Sequence, residues 1–91
     1  MTNAELVAAM KERVPVILDD PLRGVTHYER IVRIEYSLTA DHYNPTNSSD
    51  GITVGAVLGD QTGRSYTTAE PRYLHRFTRE EYERRRKEYE R

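Results

Sequence analysis

The stretch Thr26-His27-Tyr28-Glu29-Arg30-Ile31-Val32-Arg33-Ile34-Glu35-Tyr36-Ser37-Leu38 decides the fold. Val32, Ile34, Tyr36 and Leu38 fall on one face of an extended chain, and Arg33, Glu35 and Ser37 fall on the other. A period of two marks a half-buried strand, because a helix would group apolar residues at spacings of three and four. Ile31 joins the polar face, which implies that this face is partly covered as well. Ile52, Val54, Ala56 and Leu58 repeat the alternation. Gly59-Asp60-Gln61-Thr62-Gly63 reads as a hairpin loop, and Arg64 to Ala69 as its return strand, with Tyr66 and Thr68 on one side. Towards the N-terminus, Val14, Val16 and Leu18 alternate as a first strand, with Pro15 at its start or on an edge. Asp19-Asp20-Pro21-Leu22-Arg23-Gly24 is turn chemistry: proline presets one corner and glycine accepts positive φ. Long strands in so small a domain must bend to enclose a core. The pattern therefore predicts an α+β fold, mainly β: an SH3-like barrel or a strongly bent antiparallel sheet. Its expected core is Val16, Val32, Ile34, Val54, Ala56 and Leu58.

A helix is predicted on each side of this β region. Thr2 and Glu5 have capping-box spacing, and Leu6, Val7 and Met10 recur at helical intervals. That places a helix at about residues 3–12, with Leu6 and Met10 on its buried side and Pro15 ending it. Thr78 and Glu81 have the same capping spacing. Glu-Tyr-Glu-Arg occurs at 81–84 and again at 88–91, so Tyr82 and Tyr89 share one helical face. Glu81 with Arg85, and Glu83 with Lys87, are spaced as supporting ion pairs. Residues 1–77 then form one domain with an N-terminal helix, and 78–91 a charged helix. A helix this short is marginal alone, so it pairs with a second copy through Tyr82 and Tyr89, docks on its own domain, or frays. Residues 39–50, TADHYNPTNSSD, are a polar connection, long for a hairpin.

Composition excludes more than it assigns. A chain of 91 residues makes one small domain with a thin core. There is no cysteine, hence no disulfide and no thiolate metal site, which suits a reducing compartment. The first residues lack the charged-then-apolar plan of a secretory signal, no apolar run is long enough to span a membrane, and Asn47-Ser48-Ser49 reads as loop composition. Residues 1–63 carry a charge balance of −4 and residues 64–91 one of +3, within a net charge of −1. Gly59 to Ser65 has the look of a phosphate loop but lacks its lysine and leads into a strand, which a hairpin turn explains. His27, His42 and His75 stand in separate segments without metal-ligand spacing. No serine sits in a nucleophile elbow. The reading is therefore no enzyme, no metal and no cofactor. Arg84-Arg85-Arg86-Lys87 is a nucleic-acid candidate, but Glu80, Glu81, Glu83, Glu88 and Glu90 neutralise it on the same helix.

Tyrosine is the unusual item, supplying 7 aromatic side chains beside one phenylalanine. Its large apolar body and polar tip suit recognition surfaces. Tyr66 and Tyr73, with Arg64, Arg72, His75 and Arg76 in the same region of sequence, are the candidate ligand or partner surface. A protein partner is the first expectation. A small anionic, nucleotide-like ligand held by stacking and guanidinium contacts is the alternative.

Val14-Pro15-Val16, Tyr28-Glu29-Arg30-Ile31 with Ile34 and Tyr36, and Leu58 with Gly63-Arg64-Ser65-Tyr66-Thr67 carry a resemblance. Over about residues 4–74 the chain resembles short uncharacterised proteins encoded by bacteriophages and mobile elements of Gram-positive gut bacteria. The 39–50 loop and the C-terminal helix depart from that group. The resemblance implies no catalytic residues. It implies a cytoplasmic accessory protein that modulates a host or element-encoded machine, for example a defence or recombination factor.

Overall fold

The structure is a computed structural model that describes residues 1–38 and 52–89. The predicted 39–50 loop, with His42 and Tyr43, lies outside the described residues, as do the side chains of Leu38, Ile52 and Thr53. The elements in chain order are α1 (Asn3–Glu12), β1 (Val16–Asp20), β2 (Gly24–Tyr28), β3 (Arg30–Leu38), β4 (Ile52–Gly59), β5 (Ser65–Ala69), a 3-10 turn (Pro71–Tyr73), β6 (Leu74–Arg76) and α2 (Arg79–Tyr89). The strands form two antiparallel three-stranded sheets, β2-β1-β6 and β3-β4-β5, not one closed barrel. Only Glu29 separates β2 from β3, so one bent stretch of chain contributes an edge to each sheet.

The core lies between the sheets and under α1. Val16, Leu18 and Leu74 from one sheet meet Ile31, Ala56, Leu58 and Ala69 from the other, with Leu6 and Ala9 of α1 closing the layer. Burying each large aliphatic side chain contributes about 1.5–3 kcal/mol, so these few residues dominate the stability of so small a domain. Ile34, Val54 and Met10 are only partly buried against this cluster. The predicted core thus holds for Val16, Ala56 and Leu58 and in part for Ile34 and Val54. It fails at Val32, which is only partly buried, while Ile31 is fully buried. The reason is a bulge. Ile31 pairs with Leu58 and Arg33 with Val57, so Val32 is the extra residue and the alternation changes phase there.

Both predicted caps form at the N-terminal ends of the helices. Thr2 Oγ1 accepts the Glu5 N–H and Glu5 Oε1 accepts the Thr2 N–H, the reciprocal pair of a capping box. Thr78 Oγ1 accepts the Glu81 N–H. Glu81 pairs with Arg85 at 2.8 Å as the spacing predicts, but Glu83 lies by Arg79 instead of Lys87. At its other end α1 closes on Arg13 in the left-handed region, φ 54°, where the Val14 N–H reaches the Ala9 carbonyl and the Arg13 N–H that of Met10. A side chain in that conformation costs about 1 kcal/mol relative to glycine. Arg13→Gly is expected to raise stability by up to that amount, measured as a higher urea midpoint at unchanged m-value.

Each helix runs antiparallel to one half of the bent β2–β3 stretch. The Tyr36 hydroxyl donates to Asn3 at the start of α1, and Gln61 joins the carbonyls of Arg13 and Glu29 at its end. In α2, Tyr82 packs on His27 and Tyr89 reaches the carbonyl of Asp20, just beyond Gly24. The C-terminal helix therefore docks on its own domain, through the two tyrosines that sequence placed on one face.

Candidate cleft at the 20–24 turn

The turn from β1 to β2 is tied down from several directions. Asp20 closes β1 with both carboxylate oxygens engaged: Oδ1 accepts the Leu22 N–H at 2.8 Å and Oδ2 the Arg23 Nε–H at 2.9 Å. The Leu22 bond first, then the Arg23 guanidinium, hold this carboxyl below its ordinary pKa. Gly24 takes φ 92°, a conformation open to glycine at no steric cost. Arg23 then spans the gap to the other sheet, donating from Nη1 to Thr67 Oγ1 at 2.7 Å and from Nη2 to the Thr68 carbonyl at 3.2 Å. From the opposite side the Tyr89 hydroxyl donates to the carbonyls of Asp20 and Pro21. A tip tied at so many points presents Leu22 at 95% exposure.

Beside Leu22 opens a cleft of about 340 Å³, walled by Arg23, Gly55, Thr68, Arg72 and Tyr73. Pro71 starts the 3-10 turn that builds the far wall, where the Arg72 guanidinium lies 4.7 Å from the centre of the Tyr73 ring. Arg72 also pairs with Glu70 at 2.7 Å, in an ion pair exposed on both sides. Such a pair is worth little in water and exchanges readily for a partner's charge.

The sequence-predicted surface residues do not converge. Arg72 and Tyr73 line this cleft. Arg64 and Tyr66 form a second cation–π pair, 5.5 Å apart, on the 59–66 hairpin. There Asp60 organises the loop, accepting from the Thr62 hydroxyl and N–H, the Arg64 N–H and the Tyr66 hydroxyl. The Thr62 hydroxyl leads in holding Asp60 down at about 2, a structural use of a carboxylate. Tyr66 itself is the extra residue of a bulge between Leu58 and Gly59, which turns it outward. His75 lies on the opposite face of the β2-β1-β6 sheet, across from Ile17, and Arg76 is taken by Glu12 at 2.6 Å. Tyr82 and Tyr89 are both engaged within the chain.

Sequence reasoning missed Leu22 and Arg23, which it absorbed into a turn. The available signal was an apolar residue at a turn corner where a polar one is usual. In the Arg84–Lys87 segment, Arg84 pairs with Glu81 and Glu88 at the surface, and Arg85 makes partly buried pairs with Asp19 and Glu81, so Arg85 is committed to holding α2 on its own domain. Among the described residues no group of three or more His, Asp or Glu is placed to hold a metal ion, and no helix is long and apolar enough to cross a membrane. Comparison of the chain with protein-family models, curated proteins and solved structures finds no match in any of the three.

Proposed function

We propose that this is a non-enzymatic protein-binding module on an SH3-like scaffold, and that its partner docks across Leu22 into the Arg72–Tyr73 cleft. The scaffold reading is supported by the near-continuity of β2 and β3, the 3-10 turn after β5, and the return of β6 to pair with β1. One observation carries the binding reading: a leucine 95% exposed on a tip fastened to both sheets and to α2. Ordering a loop costs entropy, and a partner meeting a tip already held pays none of it. Leu22 supplies an apolar anchor, Tyr73 an amphipathic wall, and Arg72 a charge whose present pair is cheap to replace. The resemblance to phage and mobile-element accessory proteins supports a host or element protein as that partner, with modulation of its activity as the outcome.

Affinity purification at physiological salt from cells that carry the gene tests this. The wild-type chain is expected to retain one protein in stoichiometric amount, and Leu22→Asp to lose it. Leu22 is exposed, so the substitution should shift stability by less than about 0.5 kcal/mol, checked by the urea midpoint. Equal retention by both chains would place the partner elsewhere.

A small planar anion is the second reading, favoured by the stacked Arg72–Tyr73 pair and a cleft volume in the range of small-molecule sites. Calorimetry with a nucleotide panel at about 100 μM protein separates the two readings. Heat from a nucleotide that Arg72→Glu abolishes would support the anion, and a silent panel would remove it.

A further inference from the structure

The outer face of the β2-β1-β6 sheet, turned away from the core, holds a row of three side chains: His27, Ile17 and His75. They are cross-strand partners, Ile17 pairing with His27 on one side and His75 on the other. Partners directly opposite share a face. Asp19, two residues along β1, shares it as well.

α2 lies over this face, held by side chains along its length. The Tyr82 ring meets His27 edge-on at 5.0 Å and Phe77 at 5.6 Å. Arg85 pairs with Asp19 at 2.7 Å, and the Tyr89 hydroxyl ends the contact on the carbonyls of Asp20 and Pro21. No residue of α2 is fully buried, yet Ile17 beneath it is completely so. An 11-residue helix has little stability of its own, so its docking depends on this small set of contacts. Adding one charge to the face below can therefore decide whether it stays.

We propose that α2 is an acid-released clasp: protonation of His75 places a charge on the half-buried face beneath the helix, beside Ile17, and detaches the helix, baring Ile17. The charged groups that act on His75 are Arg85 and Glu81 from α2, Asp19 from β1 and the chain's amino terminus. Asp19 and Glu81 are bound to Arg85 and offset its charge, so the cost of charging a half-buried ring leads the effect. Burial first, and Arg85 second, hold His75 below its ordinary value of 6.5. The docked state thus favours the neutral ring. Docking is at full strength above pH 6.5 and weakens as the pH falls through 6.5 towards the lower docked value.

The clasp reaches the cleft. Tyr89 is one of the ties on the turn that presents Leu22, so release of α2 loosens that tip as well. This consequence rests on the binding reading of the cleft, whereas the clasp itself does not.

Residue-resolved amide exchange on the intact chain tests the clasp without any partner. Between about pH 7.5 and about pH 5.5, after correction for intrinsic rates, protection of residues 79–89 is expected to fall severalfold while β3 and β4 keep theirs. The ring protons of His75 should titrate with the same midpoint, and His75→Gln should leave α2 protected at both pH values. Equal protection of α2 across this range would overturn the proposal, as would full pH dependence in His75→Gln. If that variant does not fold, the wild-type titration decides alone. A His75 that protonates without moving the Tyr82 and Ile17 resonances contradicts the clasp.

Discussion

Gly59→Ala is expected to be the most damaging small substitution in this protein, costing about 3 kcal/mol or more. A Cβ at Gly59 would lie 2.0 Å from the Arg64 carbonyl oxygen and 2.6 Å from Val32 Cγ2. The valine methyl can move, but the carbonyl cannot. It accepts the Asp60 N–H at 3.0 Å and closes the hairpin, so retreat unzips the β4–β5 turn. Gly59 also pairs with Arg30 on one side and Ser65 on the other, at a point where all three strands of the sheet are close. Overpacking usually costs about 1–3 kcal/mol, and a clash with fixed backbone belongs at the top of that range or above it. A domain of this length has roughly 5–13 kcal/mol in all, so the urea midpoint should fall by a large fraction. Gly55→Ala is the contrast. Its Cβ would meet the Thr68 Cγ2 at 2.8 Å, the end of an exposed side chain that can rotate, and about 1 kcal/mol is expected. A Gly59→Ala midpoint within error of the Gly55→Ala midpoint would contradict the hairpin geometry.

Ile31→Ala is expected to cost about 3 kcal/mol and Val32→Ala about 1 kcal/mol or less. Ile31 is fully buried among the core residues, whereas Val32 is the bulged residue and only partly covered. Truncating Ile31 removes several methylene-sized groups and leaves a cavity in a core too thin to collapse around it. Parallel denaturant titrations of the two variants read the difference directly. Equal costs, or a larger cost at Val32, would mean that the alternation runs unbroken through residues 30–38.

This pair of neighbours shows how far the sequence could be read. The period of two located the β3 and β4 strands, and Val16, Ala56 and Leu58 fell where alternation put them. Ile31-Val32 offers two adjacent apolar residues, and a single bulge decides which faces inward. Local pattern holds no sign of it, because the bulge follows from how β3 meets β4. The docking of α2 was half legible. Tyr82 and Tyr89 were placed on one face, but the receiving surface is assembled from β1, β2 and Phe77. The cleft was not legible. It requires the 20–24 turn and the 70–73 segment to meet, nearly fifty residues apart along the chain, and Arg23 ties the turn to Thr67 and Thr68 of β5 just ahead of that segment. His75 and Arg76, grouped with Tyr73 by proximity in sequence, are sent to opposite faces of β6 by the same alternation that revealed the strands.

The most direct test of the binding account is site-specific photo-crosslinking in living cells, with a photoreactive amino acid placed in turn at positions 22, 36, 66 and 72. Positions 36 and 66 hold the most exposed tyrosines among the described residues, so they report contact by chance. The account predicts one discrete protein adduct from positions 22 and 72 and none from positions 36 and 66. Adducts from position 66 alone, or no protein adduct from position 22, would contradict docking across the cleft.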